Sequence, residues 1–475
     1  MRFVLLLSIL ACICTLSRSC EKKPSLVEDL EWFNHTYEFP CMYSGLVDID
    51  EDTKSNMFYW LFRSQKPLNQ TKLVLWFAGG PGGSGQGSVF VENGPLKMIE
   101  KDNGDYQIIS DIPNSFMDIA NVIYIDQPLG VGYSSTNKVI ESGDEIGDIA
   151  LKFLLEFYKL HPELKSQDLI IAGNSYAGHF MPNAIKSIIY YNYNASESEK
   201  INIYGFMVED GLVDTLTQRL SIKHLALSSG MITFELLPEY EILEQRCEAS
   251  MYNTPETAFE DCKKMNNLMY ETGGKWDIMD IRYPNGESIA NPPLQEYFDQ
   301  EAVQKQMHVI TNGSTIPFSS FNKTVYQEMK FDGIKDYSDM YSFIVNMGIK
   351  TIIFVGSLDG LDGVYGTQTW IKNLNLTGAD YFRESTRQTY YYKDLDGSEH
   401  VAGTYVNYDD GFRSLSYVTV YAGGHVLGYR QFKPSKSLLQ DMIIDGKARC
   451  NSDNETCNHD ERVCYHMKYC YGHGE

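Results

Sequence analysis

The sequence predicts an α/β protein whose central sheet is mostly parallel and covered by helices. Two features predict it: short, continuous apolar runs, and segments of helical spacing between them. Glycine or aspartate flanks the apolar runs, and their continuity indicates strands buried on both faces. The predicted strands are 73–77, 122–125, 169–172, 203–208, 352–355 and 418–421. The predicted helices are 145–161, 177–191 and a closing helix at 436–444.

Residues 215–335 interrupt this alternation with a charged segment that is rich in Met and Tyr and helical in pattern. A long insertion in such a fold usually lies over the functional site, and a surface insertion without a role is the alternative. We therefore expect a core formed by residues 20–214 and 336–448, with 215–335 as a cap insertion. Residues 449–475 form a cysteine-rich C-terminal extension of unknown role.

The chain is strongly acidic, because 40 Lys and Arg residues stand against 63 Asp and Glu residues and give a formal net charge of −23. Such a field repels phosphate backbones, so nucleic acid is not expected as a partner. The hydrophobic fraction of 43% is typical of a folded chain with a sizeable core. A length of 475 residues allows one large domain with an insertion, or two or three smaller domains.

Residues 1–19 predict a signal peptide, because Arg2 precedes an apolar stretch at 3–16 that small and polar residues follow. That stretch is too short to span a bilayer and no later segment is long and apolar enough, so stable membrane insertion is not expected. The mature protein is expected to enter the secretory pathway. Seven NxS/T triplets are candidate glycosylation sites: Asn34, Asn69, Asn194, Asn312, Asn322, Asn375 and Asn454.

In an oxidising compartment, the cysteines of the mature chain predict disulfides. Cys247 and Cys262 lie within one insertion and are natural partners, whereas the fate of Cys20, at the predicted cleavage edge, is open. Near the C-terminus a zinc site is the alternative to disulfides, but the spacing lacks paired CxxC knuckles and no metal site is predicted. The residues concerned are Cys450, Cys457, Cys464, Cys470, His459 and His466.

The motif GNSYAG at 173–178 follows a predicted strand and precedes a predicted helix. A GxSxG sequence in that context predicts a nucleophile elbow, because the glycines tolerate the tight turn that lifts the serine above the sheet. Asp359 and His425 each follow another predicted strand, which gives the order Ser175, Asp359, His425. That order predicts an α/β-hydrolase fold in which Ser175 is the nucleophile, His425 the base and Asp359 the group that orients the base.

Five separated blocks of sequence occur in an order that is shared with one enzyme family. They are YSG at 43–45, LVLWFAGGPG at 73–82, ENGP at 92–95, DQPLGVGYS at 126–134 and SYAGH at 175–179. Between about residue 41 and about residue 443, the chain resembles the serine carboxypeptidases, the lysosomal and vacuolar family of cathepsin A and carboxypeptidase Y. The resemblance implies a serine-type carboxypeptidase that acts on peptides without a cofactor, in a lysosome or vacuole or outside the cell. The resemblance leaves open whether the protein forms a homodimer.

The resemblance also assigns residues around the nucleophile. It implies an oxyanion hole formed by the backbone N–H groups of Gly80 and Tyr176. Asp362 competes with Asp359 for the third position of the triad. Aligning GSLD at 356–359 with the family's GDxD motif places Asp359 at the catalytic aspartate.

The sequence departs from the family where the peptide's terminal carboxylate is bound. The family uses an Asn just before GGPG and a Glu just before the nucleophile, and these positions are Ala78 and Asn174 here. Ala78 leaves only the backbone N–H of Gly79 at that point, whereas the Asn174 amide can donate a hydrogen bond at any pH. Gly83 replaces the family's cysteine, so the disulfide that anchors this loop is absent and a more mobile loop is expected.

Asn174 also removes one source of pH dependence, since the family's Glu must be protonated to share a hydrogen bond with the substrate's carboxylate and an amide does not titrate. With an ordinary pKa near 6.5 for His425, activity is expected to rise toward neutral pH. From these two residues we expect weaker carboxypeptidase activity than the family norm, less acid bias in affinity, and some tolerance of amidated or esterified ends.

Three other functions are left open by the sequence. The same fold could serve an acyltransferase or esterase, or a catalytically silent binding or protective protein. GPGGSG at 80–85 also matches the GxGxxG motif of dinucleotide-binding oxidoreductases, with Glu100 about twenty residues further on. Pro81 and the apolar residues 89–91 fit the opening of a helix poorly, which argues against that third function.

Overall fold

The computed structural model describes residues 20–310, 313–376 and 385–450. Their strands are β1 (Leu26–Val27), β2 (Met42–Asp50), β3 (Ser55–Phe62), β4 (Leu73–Phe77), β5 (Leu96–Glu100), β6 (Tyr106–Ser110), β7 (Asn121–Ile125), β8 (Leu169–Asn174), β9 (Ile203–Glu209), β10 (Trp276–Asp277), β11 (Asp280–Pro284), β12 (Lys350–Gly356), β13 (Gln388–Lys393), β14 (Glu399–Asp409) and β15 (Ser414–Val420). Their helices are α1 (Gln86–Val91), α2 (Gly143–Leu160), α3 (Ala177–Asn194), α4 (Thr215–Ser228), α5 (Leu237–Asn253), α6 (Pro255–Thr272), α7 (Leu294–Phe298), α8 (Glu301–Gln306), α9 (Lys323–Glu328), α10 (Ser338–Asn346), α11 (Val364–Lys372), α12 (Leu427–Arg430) and α13 (Phe432–Ile444).

Eleven of these strands form one sheet in the order β1-β2-β3-β7-β4-β8-β9-β12-β15-β14-β13. The six central strands, from β7 to β15, run parallel to one another. Alternate residues of β4 enter two separate cores: Leu75 packs in the core that includes α2 and α3, and Trp76 packs in the core that includes α1 and α13. The predicted α/β-hydrolase fold, with a mostly parallel sheet between layers of helices, is confirmed.

The sequence analysis did not predict the antiparallel strands at the two edges of the sheet. At one edge β2 and β3 form a hairpin, and at the other β13 and β14 pair antiparallel to β15. Strand β14 interleaves polar and apolar residues, as an edge strand can, so it presents no continuous apolar run. Strand β3 does contain such a run at 57–62, and that signal was available in the sequence.

The predicted helices are confirmed as α2, α3 and α13, with shifted ends. Helix α2 begins at Gly143 because the Oγ of Ser142 accepts a hydrogen bond from the N–H of Glu145 at 3.3 Å, as an N-cap does. Strand β15 begins four residues earlier than predicted and ends at Val420. Its first half contains Ser416, whose hydroxyl donates to the Asn407 side chain of β14 at 2.7 Å.

The insertion at 215–335 contains helices α4 to α9 and the hairpin β10–β11. A small apolar core of its own includes Tyr240, Met269 and Trp276. The predicted disulfide between Cys247 and Cys262 joins α5 to α6. In the part of the chain that the structure describes, no helix has both the length and the apolar character needed to cross a membrane.

Three further cysteines are disulfide-bonded. Cys20 pairs with Cys41, which the sequence left open, and Cys450 is disulfide-bonded. The predicted signal peptide, the acceptors Asn312 and Asn454, and the other C-terminal cysteines lie outside the described residues. Within those residues, no three His, Cys, Asp or Glu side chains are grouped as metal ligands would be.

One argument used against a dinucleotide site is wrong. Residues 89–91 do lie in a helix, because α1 runs from Gln86 to Val91 directly after the glycine-rich loop. This helix is only six residues long, and Glu100 ends β5, which pairs with β6 in a separate two-stranded sheet. The loop itself lies against the nucleophile elbow, as described below.

Close packing behind the elbow gives a test of the fold. A Cβ on Gly178 would collide with the carbonyl oxygen of Leu212, whereas a Cβ on Gly87, within α1, would meet only a leucine methyl group at 4.0 Å. We expect Gly178→Ala to lower the free energy of unfolding by about 1–3 kcal/mol. The matched control, Gly87→Ala, should leave it unchanged or raise it, because alanine favours helices. Denaturant unfolding of both variants checks this, and equal stability of the two would contradict the packing described.

Candidate active site

Ser175 lies at the sharp turn between β8 and α3, with the positive backbone angle φ of 57° that a nucleophile elbow requires. Its N–H donates to the carbonyl oxygen of Glu209 at 3.0 Å, and its own carbonyl accepts from the N–H of Leu212 at 2.9 Å. The turn also packs tightly against the glycine-rich loop, because a Cβ on Gly79 would lie 2.5 Å from the Ser175 Cβ. Backbone hydrogen bonds on one side and the glycine-rich loop on the other therefore hold Ser175 in place.

The structure brings Ser175, His425 and Asp359 together, as predicted from their order. The Nε2 of His425 is 2.8 Å from the Oγ of Ser175, and its Nδ1 is 3.0 Å from the Oδ2 of Asp359. Asp359 and His425 follow the neighbouring parallel strands β12 and β15, whose carboxyl ends meet at one edge of the sheet. The arrangement can pass a proton from the serine hydroxyl to the imidazole while the carboxylate holds the ring.

Asp359 and Asp362 occupy different positions relative to the imidazole. The carboxylate of Asp359 also accepts hydrogen bonds from the N–H groups of Leu361 at 2.7 Å and Asp362 at 3.2 Å. The Oδ2 of Asp362 lies 4.0 Å from Nε2 of His425, on the side of the ring that faces the serine. Asp359 is thus the carboxylate at Nδ1.

Opposing effects set the pKa of His425. Burial lowers the pKa of the imidazole, but the charge of Asp359, its hydrogen bond and the charge of Asp362 outweigh burial and raise the pKa to about 9. The ordinary value near 6.5 that the sequence suggested for this group is wrong. Burial also raises the pKa of Asp362, to about 6.

The predicted oxyanion donors are Gly80, which follows the Gly79 that packs against Ser175, and Tyr176, which follows Ser175 in the chain. Gly80 adopts a φ of +127°, which a residue with a Cβ rarely adopts. Among the described residues, neither the N–H of Gly80 nor that of Tyr176 has an acceptor, so both are free to bind an oxyanion. The Tyr176 hydroxyl is anchored by a hydrogen bond to the Asp332 carboxylate at 3.1 Å.

The insertion supports the glycine-rich loop in place of the missing disulfide. Gly83 forms a β-bridge with Phe321, and the N–H of Asn322 donates to the Gly82 carbonyl at 2.8 Å. A side chain at Gly82 could not be accommodated, because its Cβ would lie 2.7 Å from the Asn322 carbonyl oxygen. Backbone contacts with residues 320–322 therefore hold the loop.

The three residues predicted to bind the substrate's carboxylate lie beside Ser175, but two of them are already bonded to each other. The Gly79 N–H, which the sequence suggested as a carboxylate donor, donates to the Oδ1 of Asn174 at 3.2 Å. The Asn174 amide in turn donates to the Oε1 of Glu92 at 3.1 Å. Ala78 is buried and contributes no polar side chain. One amide hydrogen of Asn174 remains for a ligand.

Sequence reasoning missed three buried carboxyl groups of the site. Glu92 belongs to the ENGP block, and Glu209 and Asp210 follow the apolar residues of β9, at the edge of the sheet where Ser175 lies. Burial, with the charges of Asp359 and Glu209, raises the pKa of Asp210 well above its usual range. Burial and the charge of Glu92 raise the pKa of Glu209 to about 8. Acidic residues at the carboxyl end of a predicted parallel strand were the available signal.

Comparison with known proteins shows which family this sequence matches. The family model described as serine carboxypeptidase matches residues 34–445. Serine carboxypeptidase-like 47 of Arabidopsis thaliana is 28% identical over 448 residues, which cover 91% of this chain and 83% of that protein. Carboxypeptidase Y of Komagataella phaffii is 27% identical over 422 residues, which cover 86% of this chain and 76% of that protein.

A solved structure supports the fold. The crystal structure of Kex1(Δ)p, a prohormone-processing carboxypeptidase from Saccharomyces cerevisiae, matches with a TM-score of 0.72 at 21% identity. The match covers 85% of this chain and 91% of that one. Because the family model extends over most of the sequence, the protein belongs to the serine carboxypeptidase family.

Proposed function

We propose that the protein hydrolyses the C-terminal residue from peptides through an acyl-enzyme formed on Ser175. The observation that carries this proposal is the continuous chain from Ser175 Oγ to His425 Nε2 at 2.8 Å and from His425 Nδ1 to Asp359 at 3.0 Å. The names of the relatives support the same activity. The signal peptide inferred from the sequence supports a location in the secretory pathway.

The proposed reaction follows from the atoms at the site. Nε2 of His425 takes the proton of the Ser175 hydroxyl as Oγ attacks the carbonyl carbon of the last peptide bond. The N–H groups of Gly80 and Tyr176 stabilise the oxyanion that forms, and the imidazolium then gives its proton to the leaving amino group. A water molecule, deprotonated by His425, releases the acyl group from Ser175. Asp359 stabilises the imidazolium throughout.

We assign the selection of the peptide's end to the pocket beside the nucleophile. The free amide hydrogen of Asn174 can donate to the α-carboxylate, and Gly79 can do so if its hydrogen bond to Asn174 is exchanged for one to the substrate. Residues 215–335 act as a cap over this pocket, supported by their contacts with the glycine-rich loop and with the loops after β12 and β15.

The decisive experiment is product analysis on matched peptides with free, amidated and N-blocked ends. A carboxypeptidase releases single C-terminal residues and ignores the N-terminus. Release of ester from an added alcohol, in place of acid, would instead identify an acyltransferase. Failure of a fluorophosphonate to label Ser175 would identify a silent binding protein.

We expect Ser175→Ala, His425→Ala and Asp359→Asn each to lower kcat/KM by roughly 10³-fold or more, because the three groups act as one unit. Combining two of these substitutions should cost little more than the worse single one. Circular dichroism checks that the variants are folded. Full activity of Asp359→Asn together with loss of activity in Asp362→Asn would assign the triad to the other carboxylate.

The raised pKa of His425 predicts a pH dependence. The imidazole must be neutral to accept the serine proton, so kcat/KM should rise with pH and reach half its maximum well above pH 6.5. Asp362→Asn removes a negative charge that favours the imidazolium, so it lowers the pKa of His425 and moves this rise to lower pH. Steady-state kinetics between pH 5 and pH 10 measure the shift. Asp102→Asn, which removes an exposed carboxylate, is the matched control, and an unmoved profile in Asp362→Asn would contradict the electrostatics.

A further inference from the structure

One buried carboxylate near the end of the insertion has no part in the reaction described above. Asp332 is 0% exposed. A buried charge is costly unless hydrogen-bond donors surround it. The donors that surround Asp332 therefore show which parts of the molecule depend on this carboxylate.

One oxygen of Asp332 binds donors that lie outside the nucleophile elbow. Its Oδ1 accepts hydrogen bonds from the N–H of Gly143 at 3.2 Å, the hydroxyl of Tyr337 at 2.8 Å and the Nζ of Lys335 at 3.0 Å. Gly143 begins α2, and the N-terminus of a helix favours a negative charge. Burial raises the pKa of the carboxyl group, but interactions with His179, Lys335 and Tyr337 outweigh burial and lower the pKa below its usual range. The group is therefore ionised.

The other oxygen binds the residue that follows the nucleophile. The Oδ2 of Asp332 accepts a hydrogen bond from the Tyr176 hydroxyl at 3.1 Å, and the Nδ1 of His179 lies 3.4 Å from it. The Tyr176 hydroxyl also lies 3.1 Å from the carbonyl oxygen of Met329, but it has one proton and the carboxylate is the stronger acceptor. Burial and the charge of Asp332 raise the pKa of Tyr176, so the hydroxyl keeps that proton.

Tyr176 is also the residue whose N–H is proposed to bind the oxyanion. Among the described residues this N–H has no acceptor, so no hydrogen bond of its own fixes its direction. The N–H and the side chain share one Cα, and a ring that is held at its far end restricts the tilt of the whole residue. Direction matters here, because an oxyanion donor is effective when it is already aimed before the charge forms.

The surroundings of the Tyr176 ring are closely packed. A Cβ on Gly333 would lie 3.3 Å from the Tyr176 hydroxyl oxygen. The centroid of the Tyr176 ring is 4.8 Å from that of His179 and 5.0 Å from that of Phe180. The ring would therefore stay close to its place without the hydrogen bond to Asp332, and the loss of that bond would loosen the donor without removing it.

Resting on the proposed function, we propose that Asp332 is a positioning residue for the oxyanion hole: its carboxylate holds the Tyr176 hydroxyl and thereby aims the Tyr176 N–H at the oxyanion. Asp332 does not touch the substrate and acts only through Tyr176. The oxyanion forms only when Ser175 attacks, so this contact stabilises the transition state and leaves substrate binding unaffected.

The test separates kcat from KM on a peptide substrate in Tyr176→Phe, Asp332→Asn and the double variant. Outright removal of an oxyanion donor costs about 10²–10³-fold in kcat, and a loosened donor should cost each single variant about tenfold. KM should stay within about twofold, because the lost interaction is made only in the transition state. The double variant should match the worse single variant, since both substitutions break the same hydrogen bond.

Tyr337→Phe is the matched control, because it removes a phenolic hydroxyl that is bonded to the other oxygen of the same carboxylate. Gly143 and Lys335 still hold that oxygen, so kcat should stay within about twofold of the unsubstituted value while the melting temperature falls. Thermal unfolding of every variant measures the effect on stability. If Asp332→Asn does not fold, the comparison of Tyr176→Phe with Tyr337→Phe decides alone.

A purely structural role of Asp332 would lower the melting temperature of the variants and leave kcat of Tyr176→Phe unchanged. That result, equal losses of kcat in Tyr176→Phe and Tyr337→Phe, or additive losses in the double variant would each overturn the proposal.

A second measurement separates this proposal from the proposed function. The rate at which a fluorophosphonate labels Ser175 is measured in the same variants, because phosphonylation also places negative charge on an oxygen at the oxyanion hole and needs no peptide. Absence of peptide hydrolysis by the unsubstituted protein would refute the proposed function. The labelling rates, for which we expect the same order of variants, would then decide the role of Asp332.

Discussion

The whole site depends on one constraint, the parallel alignment of β8, β9, β12 and β15. Neighbouring parallel strands end at the same edge of a sheet, so residues that are far apart in sequence meet there. Ser175 follows β8, Asp359 follows β12 and His425 follows β15. Moving any one strand by a single residue would turn its side chains to the other face and break the chain of hydrogen bonds.

Because these strands end at the same edge of the sheet, several buried carboxyl groups lie in the region of the His425 imidazole. Five carboxyl groups within this region are at most 8% exposed, and they are Glu92, Glu209, Asp210, Asp359 and Asp362. Asp359 accepts three hydrogen bonds, from His425, Leu361 and Asp362. Burial raises the pKa of each of the other four carboxyl groups. The protonation of the site is consequently a property of the group of acids rather than of single residues.

The sequence predicted those parts of the molecule that local pattern determines. Apolar continuity identified the six central strands, and the elbow motif with the order of Asp359 and His425 predicted the three groups that the structure brings together. Residues whose importance arises from spatial neighbours were missed. Glu209 has no unusual local sequence, and its surroundings arise because β8 pairs Asn174 with it and Gly428 of α12 donates to its side chain. The pKa of His425 likewise depends on Asp362, whose position relative to Nε2 no spacing rule gives.

The insertion is tied to the site at three separate points, and this explains how a loop without its usual disulfide can be held in place. Residues 320–322 bond to the glycine-rich loop, Asp332 binds the hydroxyl of Tyr176, and the carbonyl of Met279 accepts the N–H of His425 at 2.6 Å. The glycine-rich loop, Tyr176 and His425 are thus held by the insertion as well as by the sheet. Most of these contacts are backbone hydrogen bonds, which do not depend on the side chains of the insertion. A displacement of the insertion would therefore disturb the contacts of Gly82, Tyr176 and His425 together.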